Sequence, residues 1–150
     1  MVSKHFKWAF SLLLVSIMVF SFAPIANKKY KYKAYFGCHY SDVVTLDVNA
    51  FKEFMKIPFC AKDSMNNFYK VKGFEIVYAE RGLYQDDEGL PIVYTDYTSD
   101  KFINDTLTTY WKHLFSERIY KGDTIFFENI ICAGYDNKHY ECKPIKIILK

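Results

Sequence analysis

The closing stretch of the chain reads Lys121-Gly-Asp-Thr-Ile-Phe-Phe-Glu-Asn-Ile-Ile-Cys-Ala-Gly134, then Tyr135-Asp-Asn-Lys138, then His139-Tyr-Glu-Cys-Lys-Pro-Ile-Lys-Ile-Ile-Leu-Lys150. Two runs rich in β-branched and aromatic residues flank a short polar turn, the pattern of a β-hairpin over 123–150. Ile125 and Phe127 share one face, and Ile130 and Cys132 resume it only after a change of phase at Glu128-Asn129. A strand that changes phase but keeps its apolar alternation carries a bulge at that point. Pro144 stands at the start of the last run, where its missing N–H does least harm, and Ile145, Ile147 and Leu149 alternate behind it. The stretch holds no nucleophile–base pair, no phosphate loop and no metal cluster of known spacing. It specifies a scaffold.

Upstream of the hairpin, one amphipathic helix is expected near 104–116. Ile103, Leu107, Tyr110, Trp111 and Leu114 recur at helical spacing, and Asn104 is a candidate cap. Tyr110 and Trp111 are read as packing against a sheet rather than as a ligand surface. Asn104-Asp105-Thr106 also matches a glycosylation sequon, a short pattern that often matches by chance. Further back lie two strand-like runs, Phe68 to Ala79 and Leu90 to Tyr97, joined through the turn Gln85-Asp-Asp-Glu-Gly89. A phase shift at Lys72-Gly73 points to a second bulge. Three consecutive acids lack the alternate spacing of a calcium loop, so the turn is read as a solvated one. Phe51, Phe54 and Met55 follow a cap at Asp47 or Asn49, a short helix or turn that Pro58 ends. Tyr30 to Leu46 reads as one or two strands bent at Gly37.

The 150 residues are 51% hydrophobic and 19% aromatic, material for one domain with an ample core. Trp8 to Ala26 carries no charge and follows Lys4 and Lys7, the layout of a secretory signal peptide over 1–26. Cleavage after Ala26 would place Pro24 three residues before the cut, and cleavage after Ala23 would place it just past. Both are poor sites. The alternative is an uncleaved signal anchor of roughly 20 apolar residues, with membrane contact through 8–26. Residues 27–150 then form a single β-rich exported domain, whose 18 basic and 17 acidic residues leave a balance of +1. That balance argues against nucleic acid as a partner. The run Lys28-Lys-Tyr-Lys-Tyr-Lys33 is read as a solvated leader into the first strand, ahead of contact with anionic headgroups.

All four cysteines, Cys38, Cys60, Cys132 and Cys142, fall in the exported part. An even number in an oxidising compartment suggests disulfides, with three connectivities open. The preferred pairing is Cys38–Cys60 with Cys132–Cys142. The second bridge needs an odd-length hairpin loop, because an even one turns its cysteines to opposite faces. Cys38 beside His39, and His139 three residues before Cys142, are the candidates for a nucleophile pair or a zinc site. Adjacent strand residues point to opposite faces, and exported thiols oxidise, so neither is the favoured reading.

Lys121-Gly-Asp-Thr-Ile-Phe-Phe-Glu-Asn-Ile130, Ala133-Gly-Tyr-Asp-Asn137 and Pro144-Ile145 together resemble the C-terminal domain of GldM-type proteins, periplasmic shaft subunits of the gliding-motility and type IX secretion motor. The family pattern runs Gly-Asp-x-Ile-x-Phe-Glu-x-Ile, a Gly-Pro-Asp-Gly turn, and a closing Pro-Ile-x-Phe strand. Here Tyr135 replaces the turn proline, Asn137 the second glycine and Ile147 the phenylalanine. Asparagine is the substitute best able to adopt the left-handed conformation that glycine supplies. The resemblance covers about the last 80 residues. It implies a mainly β fold, an antiparallel β-sandwich-like domain outside the cytoplasm with a structural or docking role. The partner would be another envelope protein or a second copy, with no cofactor. The shaft proteins carry a long helical region before this domain, so a stand-alone exported relative is expected. The competing readings are a glycan- or lipid-binding domain built on the aromatic surplus, for which nothing locates a pocket, and a Cys/His metal or hydrolase site.

Overall fold

A computed structural model describes residues 29–150; the expected signal or anchor, with its membrane contact over 8–26, lies outside them. The described elements run β1 (Tyr32–Tyr35), β2 (Val43–Leu46), α1 (Val48–Phe54), β3 (Cys60–Lys62), β4 (Phe68–Gln85), β5 (Pro91–Phe102), α2 (Thr109–Arg118), β6 (Thr124–Ala133), β7 (His139–Lys143) and β8 (Ile145–Leu149). The domain is mainly β. No helix among the described residues is long and apolar enough to cross a membrane.

The closing hairpin is one ladder. β7 and β8 pair antiparallel with β6 in a single register, from Thr124↔Ile148 to Ala133↔His139, with a break where Pro144 faces Glu128. A proline does least harm at such a break. Residues 134–138 close the ladder as an odd loop, with the Gly134 N–H donating to the Lys138 carbonyl at 2.8 Å. Asn137 takes a φ of +58°, and the Lys138 N–H donates to the Asp136 carboxylate at 3.2 Å. The asparagine thus occupies the left-handed position that glycine would otherwise fill.

β4 is the second organising strand. It pairs with β3 over 68–70, with β6 over 71–79 and with β5 over 74–85. Both expected bulges are present, and they lie on paired strands. The β4–β6 register slips by one residue between Val71 and Gly73 and slips back between Gly73 and Glu75. Val71↔Cys132 and Glu75↔Glu128 therefore belong to the same register. On β6 the irregular residue is Asn129, at a φ of +47°. A Cβ at Gly73 would lie 2.5 Å from the Phe102 carbonyl oxygen, so only glycine fits. Bulges bend the strands that carry them, and here both strands change partners at the bend. On one side β7, β1 and β3 complete a ring from β6 to β4; on the other, β8 and then β2 flank β6, and β5 flanks β4. The outcome is a sandwich-like, barrel-like body with two shared corner strands.

Within the mainly antiparallel arrangement two pairings are parallel: β1 with β7, and β2 with β8. Period-two alternation encodes which face a residue takes, not the direction of its neighbour. α2 starts at Thr109 under a Thr108 cap, later than the helix expected near 104–116 with an Asn104 cap. The Asp105 carbonyl accepts the Phe59 N–H at 2.7 Å, which holds that segment out of a helix. Ile103 is consequently 85% exposed, and the buried side of α2 is Trp111 and Phe115. α1 begins where the Asp47 carboxylate accepts the Asn49 N–H at 2.8 Å, and it buries Phe51. Phe51 meets Phe115 edge-on and stacks on Phe36, which in turn stacks on Phe127, so both helices cover one aromatic core. β5 reaches Phe102, beyond the expected end at Tyr97, because Thr98 to Lys101 pair with β4 without any apolar alternation to announce it.

One acid is fully buried. Asp123 accepts hydrogen bonds from the Tyr78 hydroxyl at 2.7 Å, the Tyr120 N–H at 2.8 Å and the Arg81 N–H at 2.9 Å. Its own carbonyl accepts the Leu149 N–H at 3.0 Å, and Gly122 before it sits at a φ of +98°. Burial, and then the Asp123 carboxylate, push the Tyr78 hydroxyl well above its ordinary pKa.

Candidate functional site

Beyond Ala79, β4 leaves β6 and continues with β5 alone. Residues 80–97 form a two-stranded arm. Gly82↔Tyr94 and Tyr84↔Ile92 extend the face of Tyr78, whereas Leu83↔Val93 extends the face of Ala79↔Tyr97. An isolated hairpin is marginal in water, and two local devices hold this one. A Cβ at Gly82 would lie 2.3 Å from the Tyr94 ring, which covers the glycine and meets Tyr84 edge-on at 5.7 Å. At the tip, the Asp86 carboxylate accepts the Leu90 N–H at 2.7 Å and the Glu88 N–H at 3.0 Å, and Gly89 takes a φ of +80°. Asp86 shapes the turn, and Asp87 and Glu88 stand exposed on it.

The arm is apolar on both faces. Leu83 is 72% exposed, Tyr97 66%, Leu90 57% and Val93 55%. Apolar side chains exposed this close together form a grouped patch, in contrast to singly scattered ones. β5 also ends the sheet, so its outer edge is unpaired among the described residues. Near the body that edge is blunted: Asp96 and Asp100 accept the N–H groups of Tyr97 and Lys101 at 2.9 and 2.8 Å. Side-chain capping of this kind discourages strand addition, which leaves the half of the edge nearer the tip as the open part.

The residues singled out from sequence divide into bonded, buried and turn positions. Cys38 and Cys60 form a disulfide, which removes Cys38 from any nucleophile or zinc role. His39 lies edge-on against Tyr40 at 4.6 Å. Cys132 and Cys142 are free and buried, against the expected second bridge. The odd loop does bring them to one face, but the register pairs Cys132 with Tyr140 and leaves Cys142 on the diagonal. Diagonal neighbours are typically ~7–8 Å apart at Cα, beyond the ~4.4–6.8 Å that a disulfide usually spans. The two thiols instead share a hydrogen bond; that bond, and then burial, hold the Cys142 thiol above its ordinary pKa. Glu128 and Asn129 form the bulge, where the Asn129 amide donates to Glu75 at 2.6 Å and Glu75 pairs with Lys101 at 2.9 Å. Asp136 and Asn137 form the turn, and Asp136 also accepts the Tyr140 hydroxyl at 2.8 Å. Trp111 is buried, with its indole N–H donating to Asp100 at 2.7 Å, while Tyr110 is exposed.

The turn and the returning strand Leu90 to Tyr97 match expectation; the continuation of β4 past Ala79 to Gln85 as a free arm was not expected. Its signal was present: apolar residues fall on both phases of Tyr78 to Tyr84 and of Leu90 to Tyr97, a pattern that fits neither a half-buried strand nor a solvated one. No protein-family model matches the chain, and no curated protein matches its sequence.

Proposed function

We propose that the protein is a non-catalytic, exported interaction module of the cell envelope, resembling the C-terminal domain of GldM-type proteins, and that the β4–β5 arm is its docking element. The arm carries this reading: a preorganised hairpin with apolar side chains exposed on both faces and a partly open edge. The Cys38–Cys60 disulfide supports an oxidising, exported setting. The resemblance of Lys121–Ile130, Ala133–Asn137 and Pro144-Ile145 to the shaft domains supports the family context.

A photoreactive residue placed at Leu83 or Val93 in living cells should give one defined cross-linked protein, either another envelope protein or a second copy. The same residue at the exposed Glu117 of α2 should give none. Adducts that are absent, or identical at all three positions, would overturn the assignment.

A further inference from the structure

The outer face of β7, β1 and β3 carries an unusual row. Lys143, Lys33 and Lys62 occupy one register across three neighbouring strands, since Lys33 pairs with both Lys143 and Lys62. Strands lie ~4.8 Å apart, and like charges directly opposite one another are destabilising. Asp42 relieves part of the row: its carboxylate bonds Lys33, and Lys143 at 2.9 Å. Lys62 lies over the rings of Phe68 and Tyr35, at 4.6 and 4.7 Å. Lys31 lies over Tyr135 and Tyr140, at 4.4 and 4.7 Å. These lysines line an open groove of about 780 Å³. A second acid, Asp63, also lines the groove, but its carboxylate is engaged by the Met65 and Asn67 N–H groups, the Asn67 amide and the Tyr69 hydroxyl. Lysines set in register beside aromatic rings, with their countercharge supplied only in part, form a receptor for an anionic segment.

The chain itself supplies a segment of that chemistry. Between Glu80 and Tyr97 five acids stand against Arg81 alone, and the tip is rigidified by Asp86, which lowers the ordering cost of docking. The tip cannot reach its own groove. β3 pairs with β4 up to Lys70, and Gln85 lies 15 residues further along the strand, roughly 50 Å at ~3.3 Å per residue.

We propose that the acidic tip of one copy, through Asp87 and Glu88, docks in the lysine groove of a second copy against Lys31 and Lys62. The contact rests on the reading of the arm as a docking element, and it names the occupant. Tip and groove are different surfaces, so the association is head-to-tail and propagates into chains unless its rotation closes a ring.

The test uses the full chain in one nonionic detergent, with sedimentation as the readout and circular dichroism as the check on folding. Wild-type protein should show concentration-dependent species larger than a dimer. The association should weaken by roughly tenfold on passing from 0.1 to 1 M salt, as the screening length falls from ~10 to ~3 Å. The double variant Lys31→Gln/Lys62→Gln loses the groove and keeps the tip; Asp87→Asn/Glu88→Gln loses the tip and keeps the groove. Each alone should be monomeric, and an equimolar mixture should stop at a heterodimer, because the complex retains neither a working groove nor a working tip. A monomeric wild type, association by either folded variant alone, or a mixture that stays monomeric overturns the proposal. If the wild type is monomeric while Leu83 still cross-links a different envelope protein in cells, self-docking fails and the interaction-module reading stands. If both experiments are negative, both fail.

Discussion

Replacing Asp123 by alanine should destabilise the domain by about 4 kcal/mol. The carboxylate is wholly buried and accepts hydrogen bonds from the Tyr78 hydroxyl and from the N–H groups of Tyr120 and Arg81. A bond to a charged acceptor contributes about 1.5–3 kcal/mol, and a buried donor left unpaired costs about 1–3 kcal/mol. Three independent losses would approach twice the stated figure, but two effects reduce it. The Tyr78 hydroxyl retains the Arg118 carbonyl at 3.5 Å as a second acceptor. Alanine also removes the desolvation penalty that the buried carboxylate itself carries. At roughly 3–5 °C per kcal/mol for a domain of this size, the thermal midpoint should fall by roughly 12–20 °C. Trp111, buried against Phe115 at 5.3 Å, reports unfolding by fluorescence in urea. Tyr78→Phe alone should cost about 1–2 kcal/mol. Added to Asp123→Ala it should cost much less, because the bond it removes is already gone; this non-additivity separates a true network from two unrelated defects. An Asp123→Ala loss below about 1 kcal/mol with an unchanged denaturant slope would refute the view that this acid ties β4 to the start of β6.

Other outcomes follow from the same geometry. Replacing Cys38 and Cys60 by serine opens a link spanning 22 residues and should cost about 3 kcal/mol in urea titrations. Iodoacetamide should leave the native protein unlabelled and, after unfolding without reductant, add two groups by mass, at Cys132 and Cys142; no labelling would mean that they are bridged. Asn129→Ala should lose about 1–2 kcal/mol from its left-handed backbone, and Asn129→Gly should recover most of that loss in thermal scans. The Asp42 carboxyl is held below its ordinary pKa, foremost by the Lys33 hydrogen bond. Its contribution is therefore fully present above the unfolded value, near 3.8, and disappears as pH falls through the lower folded value. Asp42→Asn should flatten the acid limb of a stability–pH curve measured from pH 5 to 2, and an unaltered limb would contradict this.

Local devices were legible in the chain, whereas long-range neighbours were not. The bulges at Lys72-Gly73 and Glu128-Asn129, the Asp136-Asn137 turn and the Asp47 cap each leave a mark within a few residues, as a phase change or a turn residue. The start of α2 is not legible in the sequence, because Ile103 and Leu107 match helical spacing by accident and only the contact of Asp105 with Phe59 reveals their real setting. The Lys143–Lys33–Lys62 row depends on strands far apart in sequence becoming neighbours, and no local pattern encodes that. Asp123 was equally hidden. An acid after a glycine reads as a solvated turn, and its burial is decided by Tyr78 and Arg81, more than 40 residues upstream.

The two bulges that face each other across β4 and β6 have a hereditary consequence. Because the slip at Lys72 is cancelled by the slip at Asn129, neither irregularity is neutral alone. Deleting one residue at either site would shift half of the ladder by one position and exchange its inward and outward side chains. Val71, Ile130 and Cys132, now in the core, would be sent to solvent or forced into strain. Deleting both would restore a continuous β4–β6 ladder but straighten the bend on which the partner exchange depends, and it would leave one half of β6 out of step with β7 or β8 across Pro144. The pair therefore behaves as one unit in descent, kept together or lost together, and an insertion or deletion at one of these positions should be tolerated only with its counterpart on the other strand.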